Sequence, residues 1–195
     1  MTALSSGWGI LTNLFATGSG MRQISMAAGH LCFLLLSVST IAGLLVHTRW
    51  LSKGVTKVLD EVHQWAGAWT VYTGLIHALF LHFDPSRSMG WAELFLPFAT
   101  HAHALPLAIG IYGFYAFVAV TVSGHLLGAI KGYLWRWLHW LSFPAWAFSW
   151  FHSVVLSHQL RAPWAMALYY GSAVLIVGLE LARFVKLPRR VAAAQ

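Results

Sequence analysis

The chain has 195 residues, 58% of them hydrophobic and only 9% charged, with a mean hydropathy of +0.67. Soluble domains carry about 25% charged residues, so the composition excludes an ordinary soluble globule and points to an integral membrane protein. The net charge of +7 does not imply nucleic acid, since the cations sit in short clusters between apolar runs, and the single cysteine, Cys32, excludes an internal disulfide or a thiolate metal site.

In chain order, Met1 to Gly20 lacks the basic start and long apolar core of a cleaved signal. The expectation is a mature chain whose first spanning helix directs insertion. Trp8 to Ala16 is apolar but too short to span, and it reads as an interfacial segment on the outer side. Five stretches then approach the ~20 apolar residues that a span needs. They run from about Ile24 to His47, Val62 to His82, Leu105 to Ile130, Trp137 to Gln159 and Trp164 to Val185. In the loop over 83–104, Asp84-Pro85 marks a turn, and Trp91 to Phe98 reads as a short interfacial helix anchored by Trp91. No linker separates a second domain. The expected architecture is therefore one all-α domain over 1–195, an integral membrane bundle of five transmembrane helices, with 186–195 as a cytoplasmic tail.

Arg22, Arg87 and Arg161 fall at one set of helix ends. The opposite set holds Arg49, Lys53, Lys57, Lys131, Arg136, Arg183, Lys186, Arg189 and Arg190. Nine cations against three place the N-terminus outside and the C-terminus in the cytoplasm of the inner (plasma) membrane. The second and fourth helices then run outward together.

The chain holds 11 histidines, an expensive residue in a bilayer because its ring nitrogens need partners. His63 and His77 lie 14 residues apart on the second helix, His139 and His152 13 apart on the fourth. Those spacings are roughly 21 and 20 Å along the axes. On parallel helices His63 meets His139 at the cytoplasmic level and His77 meets His152 at the outer level. Matched imidazoles at two depths suit two stacked haems, each with two axial histidines, a ligation that favours electron transfer. Fourteen residues return a helix to within about 40° of the same face, whereas 13 leave a mismatch of roughly 140°. Pro144, between His139 and His152, offers a kink or local rewinding. Gly67 and Gly74, and Gly110, Gly113 and Gly124 on the third helix, serve either macrocycle edges or close helix packing. Trp137, Trp140, Trp146, Phe148, Trp150 and Phe151 line pockets or form a lipid-facing belt.

These two spacings, in this order, resemble the ferric-reductase-like transmembrane domain, the superfamily of NADPH oxidases, ferric reductases and the haem subunit of the bacterial methionine sulfoxide reductase system. The resemblance covers about Met21 to His158. EVHQWAGAWTVYTGLIHALFLH is similar to the first ligand helix, LFLPFATHAHALPLAIGIYGFYAFVAVTVSGHL to the following loop and helix, and YLWRWLHWLSFPAWAFSWFHSVVLSH to the second ligand helix. It implies two haem b, with iron ligands paired His63 with His139 and His77 with His152. The larger members continue into a flavin and nicotinamide domain. Only about ten residues, Lys186 to Gln195, follow the fifth helix, so the expectation is a small bacterial-type member without one. Many members also have a sixth helix, missing here or reduced to the Trp8 to Ala16 segment.

The pattern leaves His30, His47 and His125 within helices, as propionate partners, replacements for a ligand or ordinary polar residues. His82, His101, His103 and His158, with Asp84, fall on the outer side as a metal or ferric-chelate site or simply a wet loop. The leading functional expectation is a b-type cytochrome, the membrane electron-transfer component of an oxidoreductase. Its partner would be a redox protein (a flavoprotein or periplasmic reductase), a quinone or an outer acceptor. Lys53, Lys57, Lys131 and Arg136 would dock that partner or merely set topology. The alternative is a non-catalytic haem- or pigment-binding subunit of a larger redox or photosynthetic complex. A proton-relay transporter is disfavoured, because Glu180 is the only clear acid within the helices.

Overall fold

A computed structural model describes residues 19–48, 51–86, 88–126, 132–157 and 160–184. The Trp8 to Ala16 segment and the tail from Lys186 lie outside the described residues, as do Arg49, Arg87, Lys131 and His158. All regular structure among the described residues is helical: α1 (Ser19–Thr48), α2 (Lys53–His82), α3 (Trp91–Phe95), α4 (Ala104–His125), α5 (Gly132–Trp140), α6 (Ser142–Leu156), α7 (Pro163–Met166), a π-helical turn (Ala167–Gly171) and α8 (Ser172–Phe184).

Among the described residues three helical stretches are long and apolar enough to cross a membrane: Gly20–His47, Ala104–His125 and Pro163–Ala182. The two histidine-bearing stretches do not reach that standard, for physical reasons. In α2, histidine, tryptophan, tyrosine and glycine dilute the aliphatic residues. The other is split into the nine residues of α5 and the 15 of α6. At the split, Leu141 N–H reaches back three residues to the Leu138 carbonyl (3.0 Å) in a tighter turn. Pro144 falls in the first turn of α6, where a missing N–H is tolerated. The single helix expected over Trp137 to Gln159 is thus two, broken three residues before the proline. α2 starts at Lys53 rather than near Val62, since charged helix formers extend a helix that the hydrophobic signal does not mark.

α1 is the central helix. It packs along α2 and touches α6 and α8, and α4 packs along α6. Its buried positions are mostly small or polar: Ser25, Ala28, Ser37, Ser39, Thr40 and Ala42. Small residues let helix axes approach where the surrounding solvent supplies no hydrophobic drive. Phe33 of α1 meets Tyr169 (ring centroids 4.7 Å apart) and Trp146 (6.1 Å) at the junction with α6 and the π-helical turn. The buried indoles there are satisfied, Trp146 Nε1 donating to Ser37 Oγ and Trp150 Nε1 to the Tyr169 carbonyl. Large apolar side chains cover the outside, among them Trp65, Trp69, Tyr72, Trp137, Val174 and Leu181.

The loop after α2 folds back on the bundle. Asp84 is buried, accepts from Ser86 N and Oγ and pairs with Arg22 at 3.5 Å, tying the loop to the start of α1. The short helix expected over Trp91 to Phe98 is confined to the five residues of α3, and exposed Trp91 lies against the His82 ring.

Candidate functional site

The four histidines singled out by spacing meet in two pairs. His63 and His139 have ring centroids 5.9 Å apart, with planes at 75°. His77 and His152 are 6.4 Å apart at 85°. With metal–nitrogen bonds of about 2.0 Å, two imidazoles on opposite sides of one ion have centroids about 6.3 Å apart. Both separations are close to that value.

Hydrogen bonds orient three of the rings. His77 Nδ1–H donates to the Ser25 carbonyl (2.7 Å), His63 Nδ1–H to that of Ser39 (2.8 Å) and His152 Nδ1–H to that of Pro106 (2.9 Å). A carbonyl can only accept, so the proton sits on Nδ1 and the Nε2 lone pair is left for a metal. This outer partnership is typical of metal-bound histidine. The two serines complete a reciprocal clasp, Ser25 Oγ donating to the His77 carbonyl (2.9 Å) and Ser39 Oγ to that of His63 (2.8 Å).

Each of these rings also lies over a glycine four residues after its carbonyl partner. A methyl group at Gly29 would come within 3.0 Å of the His77 ring, and one at Gly43 within 3.0 Å of His63. At Gly110 it would overlap the His152 ring outright. The α1 pair repeats at the period of the α2 histidines: Ser25 and Gly29, then Ser39 and Gly43, each shifted by the 14 residues that separate His63 from His77. Sequence reasoning did not single out these four residues or Pro106. The signal was a second helix carrying small residues at that same interval.

The remaining glycines do other work. Gly67 faces Ser39 Oγ, Gly74 faces Phe114 and Phe117, and Gly113 faces Phe148 and Ser149, all as packing positions. Gly124 has open space where a side chain would be. Of the five read as serving either macrocycle edges or close helix packing, Gly110 alone lies against one of the four paired histidine rings.

His139 is held differently. It stacks on Trp135, one turn earlier on α5 (centroids 5.0 Å, planes 22°), and among the described residues its ring makes no hydrogen bond.

The His77/His152 pair borders a cavity of about 210 Å³, whose wall includes His30, Phe114, Phe117 and Tyr169. His30 shares a 2.6 Å hydrogen bond with the Tyr169 hydroxyl and packs edge-on against Trp164. His47 is exposed and donates to the Gly43 carbonyl, and His125 is exposed. Among the described residues, which leave out His158, the group considered on the outer side does not assemble. His82 donates to the Met89 carbonyl, Asp84 is engaged with Ser86 and Arg22, and His101 and His103 are exposed. Among the described residues no three His, Cys, Asp or Glu side chains gather as a metal ion would require.

No family model, curated protein or solved structure matches this chain at a significant level.

Proposed function

We propose that the chain is a small b-type cytochrome of the inner membrane that carries electrons between its two faces. The observation that carries the reading is the pair of facing imidazole couples, at 5.9 and 6.4 Å, with three rings fixed as Nδ1–H donors. Two imidazoles are too few to enclose a bare ion. A macrocycle that brings four in-plane nitrogens completes the coordination, and that is haem. Bound there, haem supplies a one-electron carrier whose axial positions are both filled, which favours electron transfer over oxygen binding.

The chain's own part is to hold and separate. His63 with His139 and His77 with His152 are the axial ligands in this reading. The α1 serines and Pro106 set the tautomer and the ring angle. Gly29, Gly43 and Gly110 admit the rings. The five spans are α1, α2, α4, the α5–α6 run and α7 through α8. The excess of cations at the His63/His139 end supports placing that end in the cytoplasm.

The histidine spacings support a likeness to the ferric-reductase-like domain, and with it a donor such as a flavoprotein or quinone and an outer acceptor. A pigment-binding subunit is less well supported, because pigment needs single axial histidines rather than facing pairs. A dithionite-reduced minus oxidised spectrum of the purified protein, with haem quantified per chain, tests the reading. Sharp low-spin b-type bands at two haems per chain are expected; a chain without haem, or with another pigment, would overturn it.

A further inference from the structure

We propose that Trp135 is a binding residue of the His63/His139 site, its indole N–H donating to a carboxylate arm of the macrocycle held there. This rests on the cytochrome reading and deepens it. Trp135 Nε1 is buried and, among the described residues, is the only buried side-chain nitrogen or oxygen without a hydrogen-bond partner. Among the described residues, the other two indoles that pack into the bundle, Trp146 and Trp150, are both satisfied. A buried donor stripped of water and left unpaired is costly, so the missing acceptor belongs to something that binds.

The position identifies the chemistry. Trp135 and His139 are one turn apart on α5, and their rings stack. An axial imidazole stands upright on the face of its macrocycle. A ring stacked on that imidazole stands upright beside it, over the same face. Carboxylate arms at the macrocycle edge fold back over that face and carry the acceptor oxygens an indole N–H needs. Among the described residues no acid competes: α5 has none, and Asp60 and Glu61, just before His63 on α2, are exposed, Asp60 being bonded to Gln64. Trp135 thereby serves His139 twice. It replaces the carbonyl that the other three ligands have, and it grips the bound group.

The test uses W135F, which keeps an aromatic ring against His139 and removes only the N–H. It is made in the full chain carrying H77L, so that only the His63/His139 site remains. Detergent-purified protein from haem-starved cells is titrated with haem b and, separately, with its dimethyl ester, in which both carboxylates are blocked. A charge-assisted hydrogen bond predicts that W135F weakens haem binding about tenfold, lowers the midpoint potential, and leaves binding of the ester unchanged. Equal loss for haem and ester would make Trp135 a packing residue and overturn the proposal, as would a W135F protein indistinguishable from its parent. If the parent with His77 intact binds no haem, the cytochrome reading itself falls, an outcome distinct from either of these.

Discussion

The His77/His152 and His63/His139 sites each bring two imidazoles together and differ in what surrounds them. At the first, both rings donate to backbone carbonyls, both lie over glycines, and a cavity of about 210 Å³ adjoins them. At the second, His63 alone has that arrangement, while His139 leans on Trp135 from a nine-residue helix separated from α6 by a turn. An imidazole pinned by a carbonyl inside a long helix loses little freedom when it takes a ligand. A ring held by stacking alone keeps rotation about its own axis and must give it up on binding. The comparison teaches that equal ligands need not make equal sites, and that the His77/His152 site should hold its haem more tightly.

The largest effects break the comparison outright. Replacing His77 or His152 with Leu should lower haem from two per chain to one, and the survivor should be the more weakly held, as measured by haem quantification during extended washing. Replacing His63 or His139 should leave one haem that resists the same washing. G110A comes next. Its added methyl overlaps the His152 ring, so the His77/His152 haem should be lost or turned high-spin in the visible spectrum while the other keeps its bands. G29A and G43A should be milder, because each methyl meets its ring at 3.0 Å and a shift of a few tenths of an ångström relieves it. Each should displace the potential of one haem only, in a redox titration. Equal shifts would show that the α1 arrangement is the same device used twice. S25A and S39A should be smallest. Each removes the hydroxyl bond to the histidine carbonyl, about 1 kcal/mol, and the hydroxyl's 3.0 Å contact with Nδ1, but spares the carbonyl that accepts from the ring, so haem content should stay at two with a modest loss of thermal stability.

The pairing of histidines was legible because two periodic spacings on parallel helices leave few alternatives for who meets whom. The helical class was legible from apolar runs. The α5–α6 break was not, since Trp137 to Leu141 continues the apolar pattern without a glycine, and Pro144 marks only the neighbourhood of the turn. Ser25, Gly29, Ser39 and Gly43 escaped notice for a different reason: small residues in an apolar helix are ordinary packing until the ring they admit is known. Nothing in its tryptophan-rich stretch sets Trp135 apart, and only burial without a partner distinguishes it from exposed Trp137.

The clasp between α1 and α2 has one more consequence. Ser25 meets His77 and Ser39 meets His63 with the same two bonds. Sliding one helix past the other by a single residue would break all four together. In the cytochrome reading the interval between the two haem levels is set by the 14 residues of α2 between His63 and His77, and the matching 14-residue interval on α1 lets one helix register seat both rings at once.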